Sequence, residues 1–172
     1  MHIRACIKKC LPPACRRLRA SPALFACALA LFLLLLPFTG RAATLTAIQD
    51  LGFGRFATVK NDAQYSMAVT IGDVVTNDPE IVYDQPPHRG EYLLEGLTPD
   101  SAVIIDTVDG ALTLNGGGGE AFAVTDFTDN APVTDAGGTA TLYIGATLKT
   151  SGTGVHYPSG PYSGTYTLIV SW

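Results

Sequence analysis

Beyond residue 42 the chain alternates. Apolar and polar positions exchange with a period of two, and Gly, Asn, Asp or Pro breaks each run after a few residues. That rhythm predicts short β-strands joined by tight turns. The clearest case is 162–172 (YSGTYTLIVSW). One face carries Tyr162, Gly164, Tyr166, Leu168, Val170 and Trp172; the other carries Ser163, Thr165, Thr167, Ile169 and Ser171. Further strands are expected at 64–71 (QYSMAVTI), 91–97, 102–107, 111–114, 120–127 and 139–144. The segment 44–59 holds one or two more, interrupted by Gly52 and Gly54. Residues 77–89 (NDPEIVYDQPPHR) contain three prolines and read as a long loop or a bulged edge. No apolar stripe at i, i+3, i+4 reaches twelve residues, so no helix is expected and parallel pairing lacks its usual crossovers. The expectation is an all-β, antiparallel sandwich or barrel of about 7–9 strands.

Upstream of residue 42 the pattern differs. Residues 1–19 are basic, residues 23–36 (ALFACALALFLLLL) are uninterruptedly apolar, and Pro37 follows. Gly40, Arg41 and Ala42 then place small residues at the −3 and −1 positions of a cut after Ala42, and a cut after Ala43 fits nearly as well. This is the order of regions in a secretory signal peptide. As a helix the apolar run would span about 21 Å, short of a ~30 Å hydrocarbon core, which argues against a retained anchor. The expected organisation is a signal peptide helix at 1–42 and one β-domain at 43–172. The 130 residues of the second part suffice for a single core.

Charge follows the same division. Seven of the 11 Lys+Arg lie upstream of residue 42, whereas all 15 Asp+Glu lie downstream with only Arg55, Lys60, Arg89 and Lys149. Four cations against 15 acids leave the downstream part at −11. Such a balance opposes nucleic acid and anionic lipid as partners. All four cysteines (Cys6, Cys10, Cys15 and Cys27) lie in the leader, so the domain has neither a disulfide framework nor a cysteine metal site. The expected location is outside the cytoplasm: periplasm, cell surface or extracellular.

Three segments resemble elements of one bacterial family. Asp50-Leu51-Gly52-Phe53-Gly54-Arg55-Phe56 is similar to its N-terminal "(L)DFGxF" element. Gly138-Thr139-Ala140-Thr141-Leu142-Tyr143-Ile144-Gly145-Ala146-Thr147-Leu148 is similar to its "GtatlxVGgtL" element. Gly160-Pro161-Tyr162-Ser163-Gly164-Thr165-Tyr166-Thr167-Leu168-Ile169-Val170 is similar to its closing "GxYsGtytvtV" strand. The family is the one catalogued as domain of unknown function 4402. The resemblance implies a secreted immunoglobulin-like β-sandwich. More distantly, the closing strand resembles that of spore-coat-U-type and fimbrial chaperone–usher subunits. The family supplies no catalytic residues to carry over.

Candidate chemistry is sparse. Only His88 and His156 lie downstream of the leader, and neither has a His or Cys partner at metal spacing. No G-x-S-x-G, H-E-x-x-H or G-x-x-x-x-G-K-[ST] is present. His156, Ser159 and Ser163 are neighbours in a turn-like sequence without an orienting acid. No enzyme and no cofactor is expected. Asp126, Asp129, Asn130 and Asp135 are weak calcium candidates, since oxygen-rich loops suit a hard cation, although Ala131 stands where an EF-hand loop needs glycine. Gly116 through Gly119 read as a flexible turn, because an acid and a strand follow them instead of a Lys and a helix.

Two functions remain. The first is a non-enzymatic structural or surface-assembly subunit. It would partner copies of itself or a periplasmic chaperone by β-strand addition, with Tyr162, Tyr166, Leu168, Val170 and Trp172 as strand-exchange candidates and 44–56 as the exchangeable segment. The second is a monomeric secreted module for a glycan or small ligand, with Tyr83, His88, Tyr92, His156 and Tyr157 as exposed candidates. One short domain without repeated ten-residue lipid-facing segments argues against a membrane barrel.

Overall fold

The computed structural model describes residues 4–7, 42–107, 112–116 and 119–172. Among these, every regular element is a strand. In chain order they are β1 (Arg4–Ile7), β2 (Thr44–Gln49), β3 (Arg55–Thr58), β4 (Ser66–Val69), β5 (Val75–Asn77) and β6 (Ile81–Gln85). There follow β7 (Gly90–Glu95), β8 (Ile104–Thr107), β9 (Leu112–Leu114), β10 (Phe122–Asp129), β11 (Ala140–Lys149) and β12 (Thr167–Ser171). The fold is all-β, as the alternation predicts. The apolar run of the leader lies outside the described residues.

Seven strands form the large sheet, in the order β2-β7-β11-β10-β9, with β4 on β11 and β5 on β4. A second sheet runs β1-β12-β8, and β3 pairs with β6. Buried side chains from both larger sheets, among them Leu142, Ile144 and Leu148 of β11 and Leu168 and Val170 of β12, meet in one apolar cluster. Each such side chain contributes about 1.5–3 kcal/mol by leaving water.

The centre of the large sheet is β11. Its even-numbered residues are buried from Ala140 to Leu148. One flank lies along β10 over 144–149, while the other changes partner: 140–144 pair with β7 and 146–149 pair with β4. Gly145 sits at the changeover. A Cβ there would lie 2.6 Å from the Val69 carbonyl oxygen and 3.0 Å from the Ile71 nitrogen. Opposite Gly145, β10 shifts register between Thr125 and Thr128, and Asp126 takes φ 53°. Three strands therefore converge at one residue that has no side chain.

Between the two sheets, the hydroxyls of Tyr92 on β7 and Tyr166 just before β12 meet at 2.7 Å, and both side chains are buried. Burial is the leading cause holding both phenols above the ordinary tyrosine value of 10.0. For Tyr166 the neighbouring phenol adds to this; for Tyr92 its hydrogen bonds to Tyr166 and to the Leu51 backbone offset part of it.

Three expectations need correction, and a fourth is narrowed. Eleven strands lie downstream of residue 42 among the described residues, where about 7–9 were expected. For the segment 77–89 the structure decides between the two readings for the bulged edge: it contributes β6, which pairs with β3 through a bulge at Arg55/Phe56. Its prolines stand outside β6, where a missing N–H costs no ladder bond. The closing strand is shorter than its alternation, because 162–166 holds one isolated backbone bridge, Ser163 to Asn115, and only 167–171 joins a ladder. Among the described residues one parallel pair exists, β1 on β12. It joins opposite ends of the chain, so no local crossover helix is needed.

Two outcomes follow. Gly145→Ala forces its Cβ into the backbone of 69–71 and should cost at least about 1–3 kcal/mol in a urea melt. Tyr166→Phe leaves the Tyr92 hydroxyl short of a partner and should cost about 1–3 kcal/mol. A phenol raised in the fold stabilises fully below its unfolded pKa and ceases to do so as pH climbs toward its folded one. Wild-type stability should therefore fall above about pH 10, and Tyr166→Phe should flatten that decline in melts between pH 8 and 11.

Candidate functional site

Two segments about a hundred residues apart in sequence build a concavity. The first, 50–58, carries the two glycines of LGFGRF. Gly52 exchanges backbone hydrogen bonds with His88 (3.0 and 2.8 Å), and a Cβ on it would lie 2.6 Å from the His88 ring. Gly54 has φ +67°, and its Cβ would lie 2.0 Å from the Gln85 carbonyl oxygen. At Gly54 the left-handed φ and the backbone clash leave room for glycine alone, whereas at Gly52 a side chain would have to displace the His88 ring.

The second segment, 156–164, carries the aromatics. Tyr157 stacks on Phe122 with centroids 3.9 Å apart and planes at 11°. Tyr162 and Phe56 meet Phe122 edge-on at 4.9 and 5.2 Å. Gly116 and Gly119 provide the room, since a Cβ on Gly116 would lie 2.6 Å from the Tyr162 ring and one on Gly119 would lie 2.5 Å from Pro158. These outer glycines of the 116–119 run act as a seat for the loop. Tyr162 donates to the Pro158 carbonyl at 2.8 Å, which closes the loop on itself. Burial, and then the neighbouring Tyr157, raise the Tyr162 pKa.

Asn61 anchors the approach to this loop. It is buried, and its amide donates to Ser151 Oγ (2.9 Å) and the Val155 carbonyl (2.7 Å). Its side-chain oxygen accepts from Gly152 N–H (2.9 Å), and its backbone carbonyl accepts from Gly154 N–H (2.6 Å). Ser151 N–H in turn donates to the Tyr157 hydroxyl at 2.6 Å.

The resulting cavity has a volume of about 820 Å³. Leu114, Phe122 and Val124 contribute apolar lining, while Asp50, Gln85, His88, His156, Ser159 and Ser163 contribute polar groups. Arg55 also lines it but is paired with Asp84 at 2.9 Å on the exposed surface. Among the described residues no hydrogen bond joins His88 or His156 to a serine or a carboxylate. The arrangement is equipped for binding through an aromatic wall and a polar rim.

The cavity gathers some of the sequence-derived candidates and scatters others. His88, His156 and Tyr157 line it together with Ser159 and Ser163. Tyr83 is exposed on β6 outside it. Tyr92, expected at the surface, is fully buried because its ring faces the other sheet and Tyr166. Of the strand-exchange candidates, Tyr166, Leu168 and Val170 are core side chains, Trp172 is half-buried, and Tyr162 belongs to the cavity.

The calcium candidates have other partners. Asp126 pairs with Lys149 at 2.8 Å; its hydrogen bonds to Lys149 and Thr125 hold its carboxyl below the ordinary value. Asp129 accepts from Ala131 N–H, Asn130 bridges to Thr141 and Tyr143, and Asp135 accepts from Gly137 and Thr139 N–H. Among the described residues no group of three or more His, Cys, Asp or Glu is placed to hold a metal ion.

Phe56, Phe122 and Asn61 were not distinguishable in the sequence. Phe122 reads as one more apolar strand position, and Asn61 as a turn residue. The pairing of 50–58 with 156–164 leaves no local signature.

The fold and the cavity define an all-β domain with a lined concavity of ligand size. The model of the family described as domain of unknown function (DUF4402) matches residues 43–172, and the chain belongs to that family. No curated protein and no solved structure matches the chain.

Asn61→Ala should destabilise the chain by about 1–3 kcal/mol and speed hydrogen exchange at 151–157. Arg55→Ala, which removes an exposed ion pair, should change a urea midpoint by less than about 1 kcal/mol equivalent.

Proposed function

We propose that this protein is an exported, non-enzymatic subunit that assembles by exchanging its first domain strand, β2, between copies. One observation carries the reading. In β2 five of six residues are exposed, on both faces of the strand, although the backbone is paired along β7. A strand held by its ladder with little side-chain burial costs little to release, and a neighbour's identical strand restores every bond lost.

A second feature supports the same reading. The outer edge of β12 takes β1 in parallel, Arg4 opposite Thr167 through Ile7 opposite Val170. Removal of a leader at 1–42 would strip β1 and leave that edge free for another chain or a chaperone. Export itself is inferred from the basic, apolar and small-residue order of 1–42.

The absence of cysteine after Cys27 makes the exchange directly testable. Thr46 and Leu93 are opposite each other in the β2–β7 register, within disulfide reach. Thr46→Cys and Leu93→Cys variants, each with the four leader cysteines changed to serine, should form a disulfide-linked mixed dimer when co-expressed with the leader intact. The double variant in one chain should lock as a monomer and stop assembly. Exclusively monomeric single variants, together with a double variant that assembles normally, would overturn the proposal.

A further inference from the structure

Independently of strand exchange, we infer that the cavity between 50–58 and 156–164 is a binding site for a neutral saccharide, seated on the Tyr157 ring. Size comes first: about 820 Å³ lies within the range of small-molecule sites. Charge comes second. The charged side chains in the lining are Asp50 and Arg55, and the Arg55 guanidinium is turned to Asp84. No cluster of one sign is present to hold a phosphate or a polycation, so the ligand is uncharged.

The aromatic geometry sets the ligand class. Phe122 covers one face of the Tyr157 ring at 3.9 Å. Tyr157 stays half-buried and lines the cavity, so part of it remains open to a ligand. Phe122 behind it and the Ser151 N–H on its hydroxyl fix the ring in place. A sugar ring has an apolar C–H face that lies flat on such a surface and a periphery of hydroxyls. Ser159, Gln85 and the two imidazoles offer donors and acceptors for that periphery. The loop is fixed before binding through Asn61 and through the Tyr162 to Pro158 hydrogen bond, which lowers the entropy cost of capture.

The test is an NMR titration of the purified, isotope-labelled full chain with maltotriose, cellotriose and chitotriose. At least one trisaccharide should give saturable shifts confined to 50–58, 85–88 and 156–164. Tyr157→Ala should weaken that binding by about tenfold or more while signals elsewhere stay dispersed as in the wild type. Tyr157→Phe keeps the platform and should bind within about threefold, which separates loss of stacking from loss of folding. No shift with any of the three at 20 mM would overturn the inference. So would shifts indifferent to Tyr157→Ala, or shifts at these residues produced only by an extended peptide of this chain's own residues 44–49. None of these outcomes bears on the disulfide exchange experiment, so the two readings stand or fall separately.

Discussion

The architecture depends on the close approach of backbones at Gly145. A ten-residue strand that kept one partner along each flank would make a plain ribbon. Here β11 holds β7 along its first half and β4 along its second, while β10 bulges opposite the changeover. The carbonyl of Val69 stands where a Cβ of residue 145 would be. Because burial of even-numbered residues continues unbroken through this point, the apolar face of β11 stays continuous although its neighbours change. The β2–β7 and β4–β5 pairs thereby share one core, and Met67, Leu94, Leu142 and Val124 belong to a single cluster.

That core is also the origin of the cavity. Phe122 is counted among the buried core residues, yet it lines the cavity and stacks on Tyr157. β10 is followed toward the sheet edge only by the three-residue β9, so the large sheet ends early on this side. The space a longer edge strand would fill is walled instead by an aromatic loop and a glycine-rich segment. Loop walls carry few ladder bonds, and the hydrogen bonds of Asn61 and Tyr162 supply the missing order.

Alternation made β4, β7, β10, β11 and the final strand legible, because each has one face on the core. It failed where pairing and burial part company. β6 is exposed along most of its length and flanked by prolines, so its sequence looks like a loop although its backbone is paired. Tyr162 continues the alternation of the last strand, yet its ring serves the aromatic cluster instead of a ladder. Tyr92 shows the reverse error: a tyrosine suits a solvated surface, but here its hydroxyl has a buried partner 74 positions away. The cavity itself was unreadable, since its walls meet only after the chain has crossed both sheets.

The segment that joins β2 to the cavity limits how the two proposed roles can coexist. Leu51 is buried and Gly52 is pinned to His88 by two backbone hydrogen bonds. Downstream of that pin, Phe53 through Thr58 line the cavity and β3 pairs with β6. Exchange of the whole 44–56 segment would remove one cavity wall and two sheet contacts together. Exchange of β2 alone needs only the backbone around Gln49 and Asp50 to swing, next to the register shift between Ala47 and Gln49 where the ladder is already irregular. The economical hinge therefore lies upstream of Leu51, and a copy that has given its first strand to a neighbour would shift Asp50 at the cavity rim while the wall from Leu51 to Thr58 stays in place.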